Sequence, residues 1–310
     1  MLQPPRGTRD LLPPETIIKQ KIIDRLRAVF ELYGFDPVES PAIETWDTLS
    51  RKAGTDIERQ IYRFKDKSGR DLGLRFDLTV PLARILSSRL DLPMPFKRYQ
   101  IGPVWRYEEV KAGRRYREFW QADADIVGVS GIEGDAEILA VGIDGLMAIG
   151  IKDFYIRLNS RAVLERLLER LGVSEGKFLD VCRALDKLDK FSKDAVAQEL
   201  KLVGLTEGTI KRLFSLSTDM LRKYKIDTTE LDEMKRAARE WGFADKIKFD
   251  LNLARGLDYY TNIIFEFYVK GQEDIGAIAA GGRYDKLIGL FSKRPLPATG
   301  ISFGIDRILG

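Results

Sequence analysis

No histidine occurs among the 310 residues. Ser-His-Asp and Cys-His nucleophile systems, His-ligated zinc and imidazole acid-base chemistry all need that side chain near neutral pH, so all are excluded together. Any catalysis by this chain is therefore largely electrostatic. Cysteine is nearly as scarce. Cys182 is the only one, cannot form an internal disulfide, and suits a reducing cytoplasm. Long apolar runs are missing too: none approaches the roughly 18 residues of a membrane span, and the opening Met1-Leu2-Gln3-Pro4-Pro5-Arg6 has no apolar signal core. The expectation is a soluble, unexported, cytoplasmic protein with no membrane partner. Neither sign of charge dominates. Lys plus Arg number 51 against 47 Asp plus Glu, a net charge of +4, which permits an anionic partner without demanding one.

What is present is ample apolar material, 44% of residues beside 32% charged, enough to bury a core and to build about two domains. Ile18, Ile22, Leu26, Val29 and Tyr33 recur at helical spacing between Pro13-Pro14 and Gly34, which predicts an amphipathic helix with a proline start and a glycine end. Residues 35–43 carry Pro37 and Pro41 and belong at an edge or interface. Residues 61–76 read as a hairpin, a short helix follows from Thr79 to about Leu90, and strands at 96–109 and 115–127 flank the loop 110–114. A helix from Asp135 to Ile149 closes at Gly150. From 161 to 245 Leu, Lys, Glu and Asp fall at helical spacing, as in Val163-Leu164-Glu165-Arg166-Leu167-Leu168, and predict a helical insertion; strands return at 263–269 and 276–282. The expected class is α+β, a mostly antiparallel sheet flanked by helices. Residues 1–160 and 246–310 would form one core and 161–245 the insertion. The ending at 305–310 reads as the first turns of a helix, and a further C-terminal region is expected beyond it.

Chemistry concentrates in four segments. Along 115–126 alternation places Arg115, Arg117, Phe119, Gln121, Asp123 and Asp125 on one face and Trp120, Ala122, Ala124 and Ile126 on the other; Arg106 and Glu108 share a face on the preceding arm. Arginines, an aromatic ring, an amide and carboxylates on one sheet face can hold a phosphate chain, a purine and an ammonium group. The same pattern also describes a solvated face with cross-strand ion pairs. Arg255-Gly256-Leu257-Asp258-Tyr259-Tyr260 and Gly281-Gly282-Arg283-Tyr284-Asp285 are either backbone that approaches a ligand closely or two tight turns with core tyrosines. Gly300 to Arg307 reads as a strand entering a helix with an arginine on its first turn, placed either to meet phosphate or to pair with Asp306.

In order, these segments resemble the three signature motifs of class II aminoacyl-tRNA synthetases and, within them, the histidyl-tRNA synthetase family. Pro5-Arg6-Gly7-Thr8-Arg9-Asp10 is similar to that family's opening, and the first helix with Pro41 to the motif that builds the dimer interface. Trp105 to Gln121 resembles the second motif and Gly300 to Arg307 the third. The segments at 255–260 and 281–285 resemble the two histidine-specific motifs. The resemblance implies a homodimer that joins histidine to ATP, with Mg²⁺, and passes the product to the acceptor end of tRNA(His). It implies Arg106 on the α-phosphate and carboxylate, Glu108 on the adenine edge and Phe119 on the adenine face, with Arg115 and Arg307 at the γ-phosphate end. Asp77, Thr79 and Gln121 would meet the amino acid's backbone end. Asp125 and Tyr260 would meet the imidazole, beside Tyr259 and Tyr284, and Arg255 would be the catalytic arginine. Bacterial members often carry glutamate at the place of Asp125, and the Trp-Arg-Tyr-Glu wording is closer to archaeal ones. Full-length members also carry a C-terminal anticodon-binding domain. The rival is a synthetase-like regulatory subunit of ATP phosphoribosyltransferase, which lacks that domain and senses histidine without activating it.

Overall fold

The structure, a computed structural model, describes residues 2–51, 55–110, 115–189, 191–254, 259–292 and 294–310. Helix α1 (Glu15–Leu32) follows the proline pair, and Gly34 beyond it takes φ 76°, the left-handed turn a side chain resists. Ile22, Leu26 and Val29 of the expected stripe are buried with Ile23 and Phe30, whereas Ile18 is 49% exposed. The stripe therefore reaches the core only from its second turn.

Strand β1 (Asp36–Pro37) is an edge, paired in parallel with β5 (Phe96–Trp105), a place where Pro37 costs no ladder bond. The expected hairpin is β3 (Arg63–Lys65) and β4 (Asp71–Leu74). Asp66 closes its turn by accepting from the Ser68 and Arg70 amides at 2.9 Å. With β2 (Ile43–Thr45) they form a three-stranded sheet, near α2 (Trp46–Ser50), α3 (Thr55–Glu58) and α4 (Thr79–Ser88). The main sheet has eight strands in the order β1-β5-β6-β11-β10-β9-β7-β8. Here β6 is Glu118–Val127, β7 Phe154–Ser160, β8 Ile247–Phe249, β9 Ile263–Val269, β10 Ala279–Arg283 and β11 Ala298–Gly304. Only the two outer pairings are parallel; the five between them are antiparallel.

Helix α5 (Ile132–Ala148) lies against this sheet, and α12 (Ile305–Leu309) continues from β11. A side chain at Gly145 would press within 2.8 Å of the Phe303 ring, so the close seating of α5 on β11 requires glycine there. Between β7 and β8 the chain runs through α6 (Arg161–Arg170), α7 (Phe178–Asp186), α8 (Lys193–Leu202), α9 (Glu207–Leu213), α10 (Thr218–Lys223) and α11 (Thr229–Glu240). Leu164, Val181, Leu185, Leu231 and Met234 from these helices join the same apolar cluster as the sheet.

Three strands depart from the sequence reading. Strand β7, with Phe154, Ile156 and Leu158 alternating inward, was passed over, although its period is that of a strand. The two long strands are shorter than expected, ending at Trp105 and starting at Glu118. Beyond those points the arms pair once more, the Arg106 amide donating to Arg117 O at 2.9 Å, and then bond to other segments: the Tyr107 amide donates to Gln60 O and the Arg117 amide to Gly7 O, both at 2.7 Å. Gln60 and the amino-terminal strap thus take hydrogen bonds that a longer hairpin would have used.

Candidate functional site

Strand β6 carries the site because its two faces are both covered. Ala122, Ala124 and Ile126 enter the apolar core, while Gln121, Asp123 and Asp125, only 2–8% exposed, face a cavity of about 530 Å³ on the other side. The polar face is therefore not a solvated one. Asp77, Thr79, Arg106, Tyr259, Tyr260 and Tyr284 complete the walls. A neighbouring cavity of about 440 Å³ is lined by Glu108, Arg115, Phe119 and Arg307, and shares Arg106, Gln121, Tyr259, Tyr260, Ala280 and Ser302 with the first. The two are lobes of one cleft at the centre of the sheet, and Arg106 stands at their junction. Of the thirteen positions singled out in sequence, twelve thus line it. Arg255, with residues 256–258, lies outside the described residues, as do 111–114 of the loop.

Arg106 is held by its Nε donating to Phe76 O at 3.1 Å, with its guanidinium 4.3 Å from the Phe76 ring centre and 5.1 Å from that of Phe119. Arg115 is near Glu108 at 3.7 Å. Arg307, on the first turn of α12, donates to Ala277 O. Its neighbour Asp306 accepts from the Trp120 amide at 2.6 Å and from Arg9 at 2.8 Å, and Arg9 also bonds Tyr116 at 2.8 Å. Arg9 and Asp306 thereby tie the amino-terminal strap to both arginine-bearing segments. Sequence reading noticed the strap but gave Arg9 no part.

In the larger lobe Asp77 accepts from the Thr79 and Val80 amides at 3.1 and 2.8 Å, fixing the first turn of α4. Asp125 is hydrogen-bonded through one oxygen and only ion-paired through the other. Its Oδ1 accepts from the Tyr284 hydroxyl, and its Oδ2 lies 2.7 Å from Arg98, in ion-pair contact though off the line of a hydrogen bond. Arg98 is fully buried, donates to Leu78 O at 3.1 Å, and was missed in sequence because an arginine in a strand reads as a surface charge. Tyr259 donates to the Tyr260 hydroxyl at 3.2 Å, and burial raises the pKa of all three tyrosines, so they stay neutral donors.

Asp123, between Gln121 and Asp125, was placed on the right face but given no role. Burial pushes its carboxyl up to about 7, against the pull of Arg98 and with the added push of Asp125. An ordinary aspartate in an unfolded chain titrates near about 3.9. The native chain consequently holds a proton there that the unfolded chain has released, so this contribution to stability is full below about pH 4 and is lost as pH rises through about 7. No histidine titrates in that window; Asp135, pushed up to about 6 chiefly by burial, does. The difference between wild type and Asp123→Asn isolates Asp123: urea midpoints should favour the variant progressively from pH 5 to 8. Parallel curves would contradict the shifted carboxyl.

Comparison with known proteins points to one family. Residues 7–308 match the family profile described as Histidyl-tRNA synthetase. The histidine-tRNA ligase of Aeropyrum pernix is 44% identical over 99% of this chain and 73% of its own length, and that of Korarchaeum cryptofilum 42% over 100% and 74%. The crystal structure of histidyl-tRNA synthetase from Nostoc superposes with a TM-score of 0.86 at 32% identity, over 100% of this chain and 74% of that one. A Bacillus halodurans structure described as an ATP phosphoribosyltransferase regulatory subunit/histidyl-tRNA synthetase gives 0.84 at 26% identity, over 100% and 83%. With the profile spanning nearly the whole sequence and archaeal relatives this similar, the chain belongs to the histidyl-tRNA synthetase family.

Proposed function

We propose that the chain joins histidine to ATP as histidyl-adenylate in this cleft and delivers it to the acceptor end of tRNA(His), as a homodimer. The observation that carries the reading is the meeting of two lobes at Arg106, one lined by carboxylates, an amide and tyrosines, the other by Glu108, Arg115, Phe119 and Arg307. Histidine would lie in the first with Asp77, Thr79 and Gln121 at its ammonium, and ATP in the second with its ring on Phe119. The histidine carboxylate attacks the α-phosphorus, a new carboxyl–phosphate bond forms, and the bond to the β-phosphate oxygen breaks to release pyrophosphate. The nucleophile is already ionised, so the step needs no general base, which fits a chain without histidine. What it needs is positive charge on the phosphoryl oxygens, supplied by Arg106 and, from the sequence resemblance, Arg255. The described residues hold no group of three or more acidic, histidine or cysteine side chains spaced for a metal. That fits Mg²⁺ carried in on the phosphates, where it would neutralise their charge, with Glu108 and Asp306 the carboxylates that line that lobe.

Exposed Ile17 and Ile18 on α1 support a homodimer through that helix, and sedimentation would test it. A histidine sensor needs no phosphate-facing arginines, and the retention of Arg106, Arg115 and Arg307 in one cleft favours the enzyme over the regulatory subunit. Histidine-dependent exchange of pyrophosphate into ATP is the deciding assay; binding of histidine without exchange would return the sensor reading.

Gly300 offers a sharper test of the pocket. A methyl group there would run into Asp125 Oδ1 and the Ala124 carbonyl across the β6–β11 ladder. Gly300→Ala should push Asp125 off Tyr284 at a cost of about 1–3 kcal/mol, roughly 5- to 150-fold in histidine affinity. Unchanged histidine binding by calorimetry would remove Asp125 and Tyr284 from the pocket.

A further inference from the structure

The two outer nitrogens of Arg9 are divided between two distant segments of the smaller lobe. Nη1 donates to the Tyr116 hydroxyl and Nη2 to Asp306 Oδ1, both at 2.8 Å. Tyr116 directly follows Arg115, and Asp306 directly precedes Arg307. All four line the smaller lobe, and Arg9 is not among its lining residues. One planar fork thus fixes the chain beside each of the two arginines that face that lobe.

The fork is itself braced. Its guanidinium lies 3.9 Å from the centre of the Tyr116 ring, and the side chains of Arg9 and Asp306 are 27% and 11% exposed, so the pair is partly withdrawn from water. The second Asp306 oxygen accepts from the Trp120 amide at 2.6 Å, on β6. The strap is fixed two residues earlier, where Gly7 O accepts from the Arg117 amide at 2.7 Å. Gly7 takes φ 87°, and a Cβ there would lie 2.7 Å from Arg117 Cγ, so only glycine passes this closely. The Thr8 hydroxyl and amide donate to Pro5 O at 2.7 and 3.0 Å and close the turn before Arg9. Residues 115–117 are therefore held by the strap twice, through the Tyr116 side chain and the Arg117 backbone.

This bracing bears on binding. Ordering a long side chain on association costs roughly two- to tenfold in affinity. A backbone already fixed at Tyr116 and Asp306 lowers that cost for Arg115 and Arg307 together. Arg9 also offsets the charge of Asp306, a carboxylate that would otherwise repel an anion in the lobe.

We propose that Arg9 is a positioning residue for the polyphosphate end of the nucleotide: through Tyr116 and Asp306 it sets the spacing of Arg115 and Arg307 without touching the ligand. The inference rests on the reading of the smaller lobe as the ATP site and adds to it a residue from the strap. Its effect is confined to the phosphates beyond the first, because the Arg106 side chain is anchored to Phe76 O and not to the strap.

The test compares MgATP with AMP, which keeps the adenine and the α-phosphate and lacks the other two phosphates, by calorimetry. Wild type should bind ATP more tightly than AMP. Arg9→Met, similar in length but without the fork, should narrow that preference about 10- to 100-fold through ATP alone, with AMP and histidine affinity within about threefold of wild type. Arg9→Lys keeps the charge but cannot reach both partners, and should narrow it about three- to tenfold. An arginine that only supports the fold would not distinguish the two nucleotides. If Arg9→Met fails to fold, as its melting curve would show, Arg9→Lys decides alone. An unchanged ratio in the folded variants, or an equal loss for ATP, AMP and histidine, overturns the proposal. An Arg9-dependent ratio without pyrophosphate exchange in wild type supports it while refuting the synthetase reading; no ATP binding by wild type overturns both.

Discussion

Arg106→Ala lowers the turnover of pyrophosphate exchange about 10²- to 10³-fold, the loss found when one preorganised donor to a developing oxyanion is removed. The expectation follows from where the guanidinium sits. It lies at the junction of the two lobes, anchored through Nε to the Phe76 carbonyl and resting near the Phe76 and Phe119 rings. That anchoring leaves the outer nitrogens to face the cleft and fixes them before the nucleotide arrives, so no reorganisation is needed as charge builds on phosphorus. Removing them should appear in kcat rather than in histidine affinity. Calorimetry with histidine alone should change by less than tenfold. Arg106→Lys should recover only part of the loss, because a single ammonium cannot hold the Phe76 carbonyl and bridge two phosphate oxygens as the planar fork does. A variant whose only defect is a raised ATP KM, with turnover intact at saturation, would reduce Arg106 to a ground-state contact.

The parts of the site legible in sequence were those whose spacing is local. Alternation along residues 118–127 gave the correct face for Gln121, Asp123 and Asp125, because a strand's period is strict and β6 is regular over its whole length. The same alternation could not say that this face is buried. That depends on Tyr259, Tyr260 and Tyr284 arriving from segments more than 130 positions away. Arg98 was illegible for the same reason: nothing within β5 distinguishes an arginine fully buried beneath two carboxylates from one that faces water. The strand limits near 105 and 118 failed because the backbone partners beyond them, Gln60 and the strap at Gly7, are remote in sequence. Which residues recur at helical or strand spacing was readable; which polar groups those elements trap together was not.

Arg283 shows how a motif divides between chemistry and support, and it yields the largest stability effect. Tyr284 faces the cleft, but Arg283 turns away from it and is 2% exposed. Its Nε donates to Asp135 at 2.8 Å, its two outer nitrogens to Val129 O at 2.9 Å and Gly131 O at 2.8 Å, and Asp135 itself is 1% exposed. The guanidinium therefore pins the turn between β6 and α5 to the end of β10. Arg283→Met has nearly the right volume yet leaves Asp135 buried without its counter-charge and two carbonyls without donors. Breaking a buried pair in this way costs about 3–5 kcal/mol, so the urea unfolding midpoint should fall by that equivalent or the chain should fail to accumulate folded. Adding Asp135→Leu removes the stranded carboxyl and should recover more than half of the loss, but not all of it, since the Val129 and Gly131 carbonyls stay unpaired. If Arg283→Met unfolds with wild type, the pair contributes nothing to the fold; if the double variant is no better than the single one, the cost lies in the carbonyls and not in the buried charge.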